Sequence, residues 1–313
     1  MNSLKVFCGS ANQPLVQEIA DQLGIELGRV MVTTFKDGEI RARILENVRG
    51  HDVFIIQPTC NPVNQHLMEL LLLIDAAKRA SAERITAVIP YYGYARQERK
   101  TAGREPISAK LVANLITVAG ANRVLTIDLH TPAIEGFFDI PVDHLRAGPI
   151  LADYFVRHCE PPLVVAAPDE GAVERALKLQ AELGREVGLA VLIKHRPEPD
   201  QAEVVGMVGE VEGRTVILID DLISTAGTVI ESAEYLLHAG ATAVFAGAVH
   251  PVLAGDAAAR LSESVLSRVV VTNTIPVLRT MQNDGITVLS VAPLLAEAIA
   301  RIHENRSVSV LFD

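Results

Sequence analysis

Two adjacent acids followed by a run of small hydroxylated residues form the most chemically pointed stretch of the sequence. Asp220 and Asp221 close a β-branched run over 216–219, and Ser224-Thr225-Ala226-Gly227-Thr228 follows before an apolar-periodic helix over 229–237. Small residues let backbone N–H groups and hydroxyls close around a phosphate, and a helix start adds a favourable dipole. Carboxylates accept hydrogen bonds from vicinal hydroxyls or hold a metal. Acids beside a phosphate loop therefore suggest a sugar phosphate with free hydroxyls; the plainer reading is a strand-to-loop junction with solvated acids. The run 216–219 looks like a buried parallel strand that stops at the two acids, and ligands of open α/β sheets bind outside such strand ends.

Four other stretches concentrate polar groups at strand ends or in loops. Residues 90–100 set Tyr91, Tyr92 and Tyr94 beside Arg96, Gln97, Glu98, Arg99 and Lys100, where guanidinium groups could fork onto phosphate oxygens or belong to a solvated basic loop. Asp128-Leu129-His130 ends a predicted strand; His130 is either an ordinary histidine or a contact to magnesium or a phosphate. Asp169-Glu170-Gly171 again sits where a strand gives way to a helix. The Pro-rich segment 194–200 reads as a lid carrying Lys194, His195 and Arg196, or as an exposed charged hairpin. A GxxxxGK[ST] loop is absent and a catalytic Ser or Cys triad has no support, which leaves phosphate chemistry through cations, magnesium and positioning.

These loops need α/β scaffolding. At 313 residues the chain suits two domains, and its 49% hydrophobic content with few aromatics and no Trp suits Val/Ile-rich parallel sheets under Ala/Leu helices. Strands are predicted at 4–7, 53–57, 85–89 and 124–127, then 163–166, 191–194, 216–219, 243–249 and 269–271, with helices at 14–23, 67–79 and 107–118. The segment 23–28 echoes 183–188, and 123–128 echoes 268–273, as an internal duplication would give. The expected domains are 1–145 and 146–313. A net charge of −10 argues against nucleic-acid binding. Cys8, Cys60 and Cys159 show no metal spacing and fit a reduced cytoplasm. No export leader is visible, and the uncharged stretch 236–255 is broken by Gly240, Gly247 and Pro251, so a soluble protein is expected. Alternating Ser and apolar residues at 306–313 predict a short C-terminal strand with Ser307 and Ser309 on one face.

Over essentially its whole length the chain resembles the ribose-phosphate diphosphokinase (phosphoribosyl diphosphate, PRPP, synthetase) family, whose phosphoribosyl loop is shared with type I phosphoribosyltransferases. The resemblance implies two phosphoribosyltransferase-like domains and a reaction that converts ATP and ribose 5-phosphate to AMP and PRPP for nucleotide biosynthesis, with Mg2+ as cofactor. It implies that Phe35, Asp37 and Glu39 form an adenine loop serving a neighbouring subunit, that Arg96, Gln97, Arg99 and His130 bind ATP, and that His130 and Asp169 engage magnesium. Lys194 and Arg196 would be catalytic, Asp220 and Asp221 would meet the ribose hydroxyls, and Ser224, Thr225, Ala226, Gly227 and Thr228 would hold the 5-phosphate. It further implies a homohexamer built from dimers, and an effector site including Ser307, Ser309 and Phe312. Ala133, Asp200 and Glu98 depart from the residues common there; Ala133 bears on effector binding and Asp200 on lid closure. A phosphoribosyltransferase, a non-catalytic regulatory subunit or a plain sugar-phosphate binding protein are the alternatives.

Overall fold

A computed structural model describes residues 3–184, 186–198, 201–277 and 285–311, with the side chains at 195–203 outside the described set. The chain divides into two compact units: Met1–Arg146 with Thr274–Pro276 and Ser290–Asp313, and Ala147–Asn273 with Val277–Leu289.

In the first unit β1 (Leu4–Cys8), α1 (Gln13–Leu23), the β2 (Val30–Thr34) and β3 (Ile40–Ile44) hairpin and β4 (Asp52–Ile56) are followed by α2 (Val63–Arg79), β5 (Arg84–Ile89), α3 (Ser108–Ala119), β6 (Arg123–Ile127) and β7 (Val142–Leu145). The order β1-β4-β5-β6-β7 is parallel throughout. Every residue of β4 is buried, as a strand covered on both faces requires. Asn12 caps α1 by accepting the Leu15 N–H, and Gly24 ends it at φ 64°, a conformation glycine reaches without a Cβ penalty. The core joins Phe7, Val53, Ile55, Leu70, Leu73 and Ile116. Burying each such side chain contributes about 1.5–3 kcal/mol.

The second unit comprises α4 (Gly148–His158), β8 (Leu163–Ala167), α5 (Val173–Leu183), β9 (Gly188–Glu198), β10 (Gln201–Val208), β11 (Thr215–Ile223), α6 (Gly227–His238), β12 (Ala243–Pro251), α7 (Ala257–Ser262), β13 (Arg268–Thr272) and β14 (Ile286–Leu289). Its sheet runs β10-β9-β8-β11-β12-β13-β14, with only β10 antiparallel to its neighbour among the paired strands. The chain then forms α8 (Ala292–His303), which packs on α1.

Both units follow one plan. A strand and helix lead into an antiparallel strand pair, and further parallel strands then add in sequence, so β1-β4-β5-β6-β7 corresponds to β8-β11-β12-β13-β14. The two sequence echoes fall on matching elements, the ends of α1 and α5 and the strands β6 and β13.

The structure corrects three expectations. Residues 290–311 belong to the first unit rather than the second. The C-terminal segment forms a 3-10 turn at Ser309–Leu311 instead of a strand, after Arg306 donates its N–H to the Arg301 carbonyl at the end of α8. Finally, β11 does not stop before the acids: its ladder to β12 runs through Asp220 to Ile223, which pairs with Pro251.

Candidate active site

In the second unit the chain leaves β8 to build β9 on one side and returns to place β11 on the other, so the strand order reverses between β8 and β11. A crevice opens at the carboxyl ends of strands beside such a reversal. Asp169 follows β8 there, and Asp220 and Asp221 lie near the end of β11.

Successive strand residues project to opposite faces, yet one guanidinium reaches both acids. Arg175, in the first turn of α5, lies 3.3 Å from Asp220 through Nη1 and 3.8 Å from Asp221 through Nη2. Asp220 Oδ1 also accepts the Asp221 N–H at 2.8 Å. Asp221 is buried. Burial, reinforced by the Asp221 charge, pushes the Asp220 carboxyl up to about 8, with Arg175 opposing the shift. Sequence reasoning missed Arg175. A usable signal existed: Lys178 pairs with Glu174 along α5, whereas Arg175 has Gly171 and Leu179 four residues away on either side and must find acids elsewhere.

The small-residue loop ends at Ala226, whose φ of 66° turns the chain into α6. No side-chain hydrogen bond caps that helix start, and helix N-termini are favourable places for an anion. Lys194, on β9, donates from Nζ to the Thr228 carbonyl at 3.3 Å, so the expected lid cation stands against the loop. Residues 194–198 continue β9 and pair with β10, which places Lys194 and Arg196 on a strand. The side chain of Arg196, all of Asp200 and all of Phe312 lie outside the described residues.

In the first unit, Phe35–Glu39 is the turn joining β2 to β3, closed by Phe35 N–H to Glu39 O at 2.8 Å and Gly38 N–H to Phe35 O at 3.0 Å. Phe35 is half exposed at its tip, and Asp37 accepts the Glu39 N–H. Arg96 and Gln97 line a cavity of about 710 Å³ with Asn61, Asn64, Tyr91 and Tyr94, beyond the carboxyl ends of β4 and β5. Gly93 brings the Tyr-rich segment against this edge: a Cβ there would meet the Thr59 carbonyl oxygen at 2.4 Å. Arg99 instead lies 3.5 Å from its neighbour Glu98 and is largely exposed.

His130 follows β6 on a turn that a second histidine fixes. Buried His144, on β7, accepts the Leu129 N–H at Nε2 over 2.7 Å, while its Nδ1 meets Glu135. Burial and then Arg146 hold the His144 imidazole below its usual range, consistent with an accepting Nε2. Among the described residues no three His, Cys, Asp or Glu side chains form a metal cage. At the C-terminus the hydroxyls of Ser307 and Ser309 lie 2.6 Å apart, so the expected pair survives although the strand does not.

Comparison with known proteins identifies the family. Residues 4–120 match the family model for the N-terminal domain of ribose phosphate pyrophosphokinase, and 180–313 match the phosphoribosyl synthetase-associated domain. A ribose-phosphate pyrophosphokinase from Caldanaerobacter subterraneus subsp. tengcongensis is 56% identical over 312 residues, covering 99% of this chain and 98% of that protein. One from Bacillus caldolyticus is 54% identical, covering 100% of this chain and 98% of its own. The crystal structure of phosphoribosylpyrophosphate synthetase from Mycobacterium smegmatis superposes with a TM-score of 0.92 at 44% identity, covering 97% of this chain and all of that one. End-to-end identity above one half, together with a shared two-unit architecture, establishes that the chain belongs to the ribose-phosphate pyrophosphokinase family.

Proposed function

We propose that this chain joins ATP and ribose 5-phosphate, with the sugar at the β8/β11 reversal and the nucleotide at the β4/β5 edge of the first unit. The reaction is diphosphoryl transfer: the anomeric oxygen bonds to the β-phosphorus as the α–β bridge breaks, the bridging oxygen stays with AMP and the hydroxyl proton is released. The observation that best supports the sugar site is the gathering of Asp220, Asp221, Lys194 and an uncapped helix start on one sheet edge.

Each residue has a task in this reading. Asp220 and Asp221 accept the ribose hydroxyls, and residues 224–228 surround the 5-phosphate with N–H groups and hydroxyls. Lys194 and Arg196 balance charge gained by the leaving phosphate oxygens; in a desolvated site one such group is worth on the order of 100-fold in rate. Arg96, Gln97 and Arg99 bind the nucleotide, and Phe35 offers an exposed aromatic face to adenine, with Asp37 and Glu39 beside it. Mg2+ suits His130 and Asp169, because this ion takes few protein donors and completes its shell with water and phosphate oxygens. When bound, magnesium neutralises phosphate oxygens.

The active species in this reading is a homohexamer assembled from dimers, with the 35–39 turn serving a neighbouring copy, and it works in the cytoplasm. No helix among the described residues is long and apolar enough to cross a membrane. Ser307 and Ser309 present paired hydroxyls for a phosphate effector.

A phosphorus NMR time course with ATP, magnesium and ribose 5-phosphate tests the activity. AMP and PRPP are expected; ADP would indicate an ordinary kinase, and unchanged ATP would leave only binding.

A further inference from the structure

The loop read above as holding the 5-phosphate is braced from behind. Three consecutive carbonyls of its approach are occupied by one neighbouring segment: Ile223 O accepts the Leu253 N–H at 3.0 Å, Ser224 O accepts the Ala254 N–H at 3.0 Å, and Thr225 O accepts Arg260 Nη1 at 2.9 Å. The first two bonds extend the β11–β12 pairing beyond Pro251. The third comes from a side chain, carried by α7, and ties down the peptide unit immediately before the left-handed Ala226.

A trans peptide sets its C=O and the following N–H on opposite sides. Drawing the oxygens of 223, 224 and 225 toward residues 253–260 therefore turns the N–H groups of Ser224, Thr225 and Ala226 the other way. Carbonyl oxygens carry partial negative charge and would repel a phosphate, whereas the reversed N–H groups attract it. Nη2 of the same guanidinium stands 3.8 Å from where a Cβ on Gly227 would lie, so Arg260 follows the loop into the first turn of α6. Of the three peptides, the 225–226 one is tied by a side chain: Ile223 O and Ser224 O are held by the backbone N–H groups of Leu253 and Ala254, and α6 begins only at Gly227.

We infer that Arg260 is a positioning residue for the 5-phosphate loop: by holding the Thr225 carbonyl it aims the Ala226 N–H at the substrate's phosphate. The inference rests on the reading of residues 224–228 as that loop. Arg260 therefore acts before substrate arrives, and its removal loosens an anion cradle without altering the nucleotide side.

The test uses the full chain and the variants Arg260→Ala and Arg260→Lys. Hydrogen–deuterium exchange of peptides covering 220–229 in the ligand-free protein is expected to be faster in Arg260→Ala and intermediate in Arg260→Lys, which keeps a shorter donor. In steady-state assays Arg260→Ala is expected to raise KM for ribose 5-phosphate about five- to tenfold, the worth of one ordinary hydrogen bond, while KM for ATP and kcat stay within about twofold. Unchanged exchange alongside a raised sugar-phosphate KM would overturn the inference, because Arg260 would then touch phosphate directly. Equal rises in both KM values would also overturn it, as general damage to the unit. If the unaltered protein formed no PRPP, the functional reading would fall, while the exchange comparison would still decide whether Arg260 braces the loop.

Discussion

Asp220 shows how burial and a like charge combine at one residue. Its folded pKa is raised, so the unfolded chain releases that proton first, near the ordinary value of about 3.9. The native state is therefore penalised progressively as pH rises from about 4 toward about 8, and the penalty is complete above that value. Asp220→Asn removes it. The variant should match the unaltered protein in Tm near pH 4 and gain on it steadily up to pH 8 to 9; a difference that stayed flat with pH would refute the raised carboxyl. Lys194 belongs to a different class of residue, because its role lies with charge that develops during transfer. Lys194→Ala is expected to lower kcat about 100-fold with KM values changed less than about threefold, measured in the coupled AMP assay. Near-full turnover would remove Lys194 from the chemistry.

At the scale of elements, the edge of each sheet works because a neighbouring element fixes its turns. The β6 turn that presents His130 depends on His144 of β7 accepting the Leu129 N–H. His144→Leu leaves that amide without its acceptor, a loss of about 1–3 kcal/mol, and should lower both Tm and kcat. His144→Gln, which restores an acceptor, should recover part of both. The sign of the pH effect follows from the lowered folded pKa: the unfolded chain gains a proton below about 6.5, so this stability is intact above that pH and is lost as pH falls. In His144→Leu that acid sensitivity should shrink in a Tm series from pH 7.5 to 5. The thiols make no such contribution near neutrality, since burial pushes Cys60 and Cys159 up to about 11 and Cys8 to about 12.

At the scale of the whole molecule, the duplicated plan gives two sheet edges with different equipment. The end of β11 and the loop after it carry two acids and hydroxyls, whereas the corresponding loop after β4 carries Asn61 and Pro62, leads into Asn64 on α2 and opens on the cavity with Arg96 and Gln97. A duplicated scaffold can in this way hold a sugar phosphate on one copy and a nucleotide on the other. The half-exposed Phe35 at a hairpin tip bears on assembly. If that tip completes a neighbour's site, mixing an inactive Asp37→Ala protein with an inactive Lys194→Ala protein should restore a measurable fraction of activity once subunits exchange. Absence of recovery after exchange has been demonstrated by mass spectrometry would count against a shared site.

Periodicity and residue type alone determined the alternating α/β plan, because buried parallel strands need continuous apolar runs and these are local in sequence. The same local chemistry marked the 220–228 stretch, and the echoes at 23–28 and 123–128 marked the duplication. Tertiary structure decided what local pattern cannot encode. Whether β11 ends at its acids depends on the length of its partner β12, and the fate of 306–311 depends on where α8 stops rather than on alternation of Ser and Val. Arg175, His144 and Arg260 lie 45, 15 and 35 residues from the groups they hold at Asp220, Leu129 and Thr225. Their roles arise because crossovers and strand pairing bring distant segments to one edge, a proximity that follows from the fold and not from spacing along the chain.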